Sequence, residues 1–113
     1  MSKINRGEVW MIDLDPTKGR EQAKKRPCRI ISSNRFNQTP AELVIAIPIT
    51  SKKKNIPLHV SVQPPYGGLK VISYLMCEQI RSISIERLDN YLGKIDEDTL
   101  IEVEGILKRL LDL

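Results

Sequence analysis

The residues of this sequence that could do chemistry are polar side chains that interrupt or end apolar runs. Arg20, Glu21, Lys24 and Lys25 lie in the first long polar stretch, and Arg26 stands at the mouth of the next apolar run. Thr50 and Ser51 close the run 43–49, just ahead of Lys52-Lys53-Lys54, while Glu78-Gln79 and Arg81 follow the run that ends at Cys77. Fixed cations, hydroxyls and a few carboxylates are the groups needed to hold an anion and to move a proton beside it. Each also has a purely structural reading. Thr50 and Ser51 can begin a turn, Glu78 can be the internal ion-pair partner of Arg81 or Arg26, and the three lysines can be a solvated loop. No nucleophile triad and no glycine-rich phosphate loop is present. With one histidine and two cysteines a zinc site is not expected either, so the reading is no metal and no cofactor.

Charge gives these residues a direction. The 113 residues carry a net charge of +4. Residues 1–54 hold 12 Lys/Arg against 5 Asp/Glu, whereas residues 55–113 hold 6 against 9. The basic half is the side expected to meet a polyanion. Hydrophobic residues at 41% and charged residues at 28% are ordinary for a globular chain. No run is long enough for a membrane span, and the start of the sequence lacks the apolar stretch of a signal peptide. Cys28 and Cys77 lie in apolar runs and are expected as reduced core thiols of a cytoplasmic protein.

The elements that must position these residues follow from period and punctuation. One domain over 1–113 is expected, with dimerisation a plausible way for so short a chain to add buried area. Strands are expected at 8–13, 27–32, 43–49, 58–62, 71–77 and 81–84, and a short one at 92–95. His59 alternates with apolar neighbours and is expected at the surface. The chain then changes period: Leu100, Val103, Leu107, Leu110 and Leu111 recur at helical spacing, with Ile106 widening the stripe. Asp96 is the natural N-cap of a helix over 97–111, Glu97 and Asp98 suit its positive end, and Lys108 and Arg109 suit its last turn. The expected fold is mainly β with a C-terminal helix, a small SH3-like antiparallel barrel.

Read in order, Arg6-Gly7-Glu8-Val9-Trp10, Asp13-Leu14-Asp15-Pro16, Gly19-Arg20-Glu21-Gln22 and Arg26-Pro27 resemble the opening of the MazF/PemK (Kid-like) toxin family. Ile47-Pro48-Ile49-Thr50-Ser51 and Glu78-Gln79-Ile80-Arg81-Ser82-Ile83 resemble its second and third blocks, so the likeness spans nearly the whole chain. The resemblance implies a toxin of a type II toxin-antitoxin system, a MazF/CcdB-type barrel acting as a two-fold homodimer. Its activity would be sequence-specific, metal-independent cleavage of single-stranded RNA, leaving 2′,3′-cyclic phosphate and 5′-hydroxyl ends. Its partner would be a cognate antitoxin that lays a disordered acidic tail across the RNA groove.

By the same likeness Arg26 is the central catalytic residue, Thr50 hydrogen-bonds the scissile phosphate and Glu21 is the general base, with Glu78 as the alternative. Arg20, Lys24, Lys25, Ser51, Lys52, Glu78, Gln79 and Arg81 are expected to contact RNA. Two departures shape this assignment. Several PemK-like relatives carry a histidine where this chain has Arg20, which stays charged and cannot shuttle protons. They also carry an arginine two residues before their acidic residue, where this chain has Met76 before Cys77-Glu78. Two other readings compete: a gyrase poison of the CcdB type, and a non-catalytic RNA-binding barrel. The first has no need of a phosphate-clamping set. The second relies on stacking aromatics, which here are only 4% of residues.

Overall fold

The sheet is organised around one eight-residue strand, LVIAIPIT, too apolar to lie anywhere but between neighbours on both edges. The chain runs β1 (Glu8–Asp13), β2 (Lys25–Ile30), α1 (Asn34–Asn37), β3 (Leu43–Thr50), β4 (His59–Val62), β5 (Ser73–Met76), β6 (Arg81–Ser84), β7 (Leu88–Lys94) and α2 (Glu97–Leu111). The computed structural model describes residues 3–21 and 24–113; Gln22 of the Gly-Arg-Glu-Gln block lies outside them, as do Met1, Ser2 and Ala23.

Every strand pair is antiparallel, in the order β4-β5-β3-β2-β1-β7, with β6 also on β3. Ala46 of β3 pairs with both Ile30 and Arg81, so β2 lies on one edge of β3 and β6 on the other. β5 takes over that second edge at Ile49 and Thr50. The sheet curls without a hydrogen-bonded ladder between β4 and β7. Its ends meet through a close approach, in which a Cβ on Gly68 would run into the Leu92 carbonyl oxygen and one on Gly93 into Gly67 and Gly68. Small antiparallel sheet and terminal helix are as expected; the sheet is not closed into a full barrel.

Two apolar clusters hold the two faces. One gathers Val9, Ile47, Ile49, Val60, Leu75 and Ile95 beneath Val103 and Ile106 of α2. The other gathers Ile12, Leu14, Cys28, Ile30, Val44 and Ile83. α2 starts where Asp96 is extended (φ −69°, ψ 165°), and Thr99 Oγ1 donates to Asp96 Oδ1 at 2.6 Å. Its stripe is shorter than the spacing implied. Leu100, Val103 and Ile106 are buried, whereas Leu110 and Leu111 are 39% and 52% exposed. Both cysteines are buried and free. Among the described residues no helix is long and apolar enough to cross a membrane.

Candidate active site

Strand register brings the first two functional residues together. β2 and β3 pair as Cys28 with Pro48, Arg29 with Ile47 and Ile30 with Ala46. Extending that antiparallel register by two residues sets Arg26 opposite Thr50. Strand alternation places Arg26, Cys28, Pro48 and Thr50 on one face. Thr50 is buried and Arg26 half-buried. The Thr50 hydroxyl accepts the Lys52 backbone N–H at 3.2 Å, which leaves its own hydrogen to donate. That hydrogen is free to turn toward an anionic oxygen.

Arg26 and Thr50 line a cleft of about 370 Å³ together with Lys24, Lys25, Ser51 and Lys70, and the lining includes no carboxylate. Four cations around one hollow make it a site for an anion. A larger hollow of about 590 Å³ has the opposite character, with Asp13, Asp15, Glu86 and Asp89 in its walls. Lys25 borders both: its Nζ lies 2.8 Å from Asp89, a contact that raises its pKa. Lys24 turns the chain into β2 from a left-handed conformation (φ 67°). Its N–H donates to Asp15 Oδ1 at 2.9 Å, and its carbonyl accepts from Leu14 N–H at 3.0 Å. A non-glycine residue held in this region beside a site is strained backbone that its surroundings must over-determine.

The remaining expected residues divide. Arg20 and Glu21 are exposed, and neither lines the cleft. The Glu21 carboxylate accepts the Lys18 N–H at 2.7 Å, and the Arg20 carbonyl accepts Gln79 Nε2 at 3.2 Å. Thus Gln79 ties the β1–β2 loop to the single turn Cys77–Gln79. Lys52 is exposed and meets Thr50 through its backbone, whereas Lys53 and Lys54 border a separate hollow of about 170 Å³ with His59, Tyr74 and Glu102. Arg81 is half-buried on β6, with Nη1 enclosed and unpartnered. Arg81 and Arg26 both lie near enough to Cys28 to favour its thiolate, yet burial outweighs them and pushes the thiol up to about 12.

His59 departs from expectation. Its side chain is only 4% exposed, and its Nε2 lies 2.9 Å from Glu78 Oε2. β4 is the last strand of the sheet, so alternation alone suggested solvent. The pairing of His59 with Met76 brings the ring beside the turn that carries Glu78. The Glu78 carboxylate, expected as an RNA contact or alternative base, lies beside this histidine.

Sequence reasoning missed Lys70 and Val71, which line the same cleft from the segment joining β4 to β5, and Ser73 at the start of β5. The signal available was weak, one lysine after a glycine turn, because only the curl of the sheet brings this segment to the β2–β3 end. Among the described residues no group of three or more His, Cys, Asp or Glu could hold a metal ion.

A family model described as PemK-like, MazF-like toxin of type II toxin-antitoxin system matches residues 5–111. The chain is 36% identical over 115 residues to endoribonuclease MazF9 of Mycobacterium tuberculosis, covering 97% of this chain and 98% of that protein. It is similar to the crystal structure of MazF from Deinococcus radiodurans, with a TM-score of 0.89 at 27% identity and all of both chains covered. A mycobacterial endoribonuclease in complex with its cognate antitoxin aligns with a TM-score of 0.78 at 25% identity, over 100% of this chain and 97% of that one.

Proposed function

The chain belongs to the PemK-like, MazF-like toxin family of type II toxin-antitoxin systems, and from that premise we propose that it cuts single-stranded RNA at the cleft holding Arg26 and Thr50. Its activity is that of an endoribonuclease toxin with a cognate antitoxin. The observation that carries the placement of the site is the cleft itself: four cations and a buried threonine hydroxyl, with no carboxylate in the lining.

The chemistry proposed uses the substrate's own 2′-hydroxyl. Its oxygen forms a bond to phosphorus, its proton passes to a carboxylate, and the bond from phosphorus to the 5′-oxygen breaks as that oxygen takes a proton from water. The products are a 2′,3′-cyclic phosphate and a 5′-hydroxyl. Arg26 can hydrogen-bond two phosphate oxygens at once and keeps its charge throughout, which suits it to stabilising the phosphorane better than to donating a proton. Thr50 donates to a third position on the same group. Glu21 is the proposed base. Because its carboxylate now serves the Lys18 N–H, this role requires the exposed loop to adjust when RNA binds. Arg20, Lys24, Lys25, Ser51, Lys52, Gln79 and Arg81 are proposed as RNA contacts. Glu78, whose Oε2 lies 2.9 Å from His59 Nε2, is proposed as a further RNA contact and as the alternative base.

The rest of the reading follows from the same cleft. A hollow walled by cations repels a divalent ion, so cleavage is proposed to need none. It would also attract an acidic antitoxin tail. The working unit is proposed to be a homodimer of single-domain chains in the cytoplasm. Incubation with RNA in excess EDTA tests the chemistry: full cleavage with cyclic phosphate ends is expected. Loss of cleavage on chelation, restored by magnesium, would overturn the metal-free mechanism, and binding without cleavage would point to a non-catalytic RNA-binding protein.

A further inference from the structure

We propose that Lys70 and Val71 form the subsite for the nucleotide beside the cleaved phosphate, Lys70 on its backbone and Val71 against its base. The inference rests on the RNA-cleaving reading and adds residues that select what is cut. Both residues line the cleft that holds Arg26 and Thr50. They are presented by a segment pinned at each end. Leu69 is 9% exposed within the core under α2, and Ser73 is 3% exposed, with its Oγ donating to the Val71 carbonyl at 3.0 Å. The turn before them is packed so closely that a Cβ on Gly68 would meet the Leu92 carbonyl, and φ there is +69°.

Between these anchors Val71 is 57% exposed. A β-branched apolar side chain held in water on a fixed backbone, beside a lysine and facing a cationic hollow, suits a ligand with a charged backbone and a flat apolar face. A nucleotide of the RNA strand has both. The neighbouring Ile72 is 47% exposed but lies outside the cleft lining, which makes it a matched control.

The test starts from an unstructured RNA in which the wild-type protein has located its cut. Single-turnover cleavage is then measured on that sequence, and on copies with an abasic nucleotide on either side of the cut. Burying one aliphatic side chain of this size is worth on the order of tenfold. Wild type is expected to lose about that factor in kcat/KM with one of the two abasic substrates. Val71→Ser should lose about tenfold on intact RNA and be indifferent to the same abasic replacement, while Ile72→Ser should behave as wild type. Lys70→Ala should raise KM and flatten its salt dependence with kcat kept. Losses that multiply, equal losses for Val71→Ser and Ile72→Ser, or a change of oligomeric state in light scattering would overturn the proposal, the last assigning the strip to a second copy. Wild-type protein that cleaves no RNA would remove the parent reading as well, whereas multiplied losses in an active enzyme remove only this one.

Discussion

A hydroxyl that already accepts a backbone N–H can still donate, and this property separates Thr50 from an isosteric valine. Thr50→Val should lower the single-turnover rate by on the order of 100-fold, the usual loss for one preorganised donor, while Thr50→Ser should keep most of it. The contrast is read in single-turnover cleavage assays with folding checked by circular dichroism. His59 makes a stability prediction at the same scale. Its removal leaves Glu78 Oε2 without its partner, so His59→Ala should cost about 1–3 kcal/mol in urea unfolding. Adding Glu78→Gln to that variant should return part of the loss, because a neutral amide is cheaper to leave unpaired than a carboxylate. Arg26 and Thr50 were legible in the sequence because each breaks the polarity of a strand at its end, and because they stand in recognisable blocks. The His59–Glu78 pair was not, since it depends on which strand lies beside the turn after Cys77.

Among the elements, β2 and β3 do most for the site, because one register sets Arg26 and Thr50 side by side. The strands were largely legible from apolar runs between turn signals. Their ends were less so. β2 begins at Lys25 because it pairs with Asp13 of β1, and β7 begins at Leu88 because Ile12 lies opposite it; neither partner is visible locally. The expected strand from 71 starts only at Ser73, since Val71 and Ile72 are the exposed tip. α1 is a four-residue turn capped by Ser33, whose hydroxyl accepts from Phe36 N–H at 3.1 Å, too short for any periodicity to reveal. Two glycines separate packing from propensity. Gly68→Ala forces a Cβ into the Leu92 carbonyl at positive φ and should cost on the order of 3 kcal/mol. Gly105→Ala in α2 has nothing within 4 Å and should gain roughly 0.5–1 kcal/mol. Urea titrations of the two variants check both signs.

Taken whole, the molecule gathers positive side chains where strand ends meet, and keeps its thiols inside. Burial pushes Cys28 up to about 12 and Cys77 up to about 11, from an ordinary thiol value of 9.0. A raised folded-state value favours the protonated form, so this contribution is complete below pH 9 and is lost as pH climbs through 11 to 12. Stability should therefore fall from about pH 9 upward, and a thiol reagent at pH 8 should label neither cysteine until the protein is unfolded. The charge asymmetry between the two halves was plain in the sequence, but the gathering of Lys24, Lys25, Arg26 and Lys70 around one hollow needed the curled sheet. The account stands on that hollow being where RNA is cut. Its most direct test is single-turnover cleavage by Arg26→Ala and Arg26→Lys, with RNA affinity measured alongside and circular dichroism confirming the fold. Arg26→Ala should lose on the order of 100-fold or more in rate while still binding uncleaved RNA, and Arg26→Lys should recover little, because a point charge cannot make the two-pronged contact. A folded Arg26→Ala protein that cuts RNA at close to the wild-type rate would contradict it.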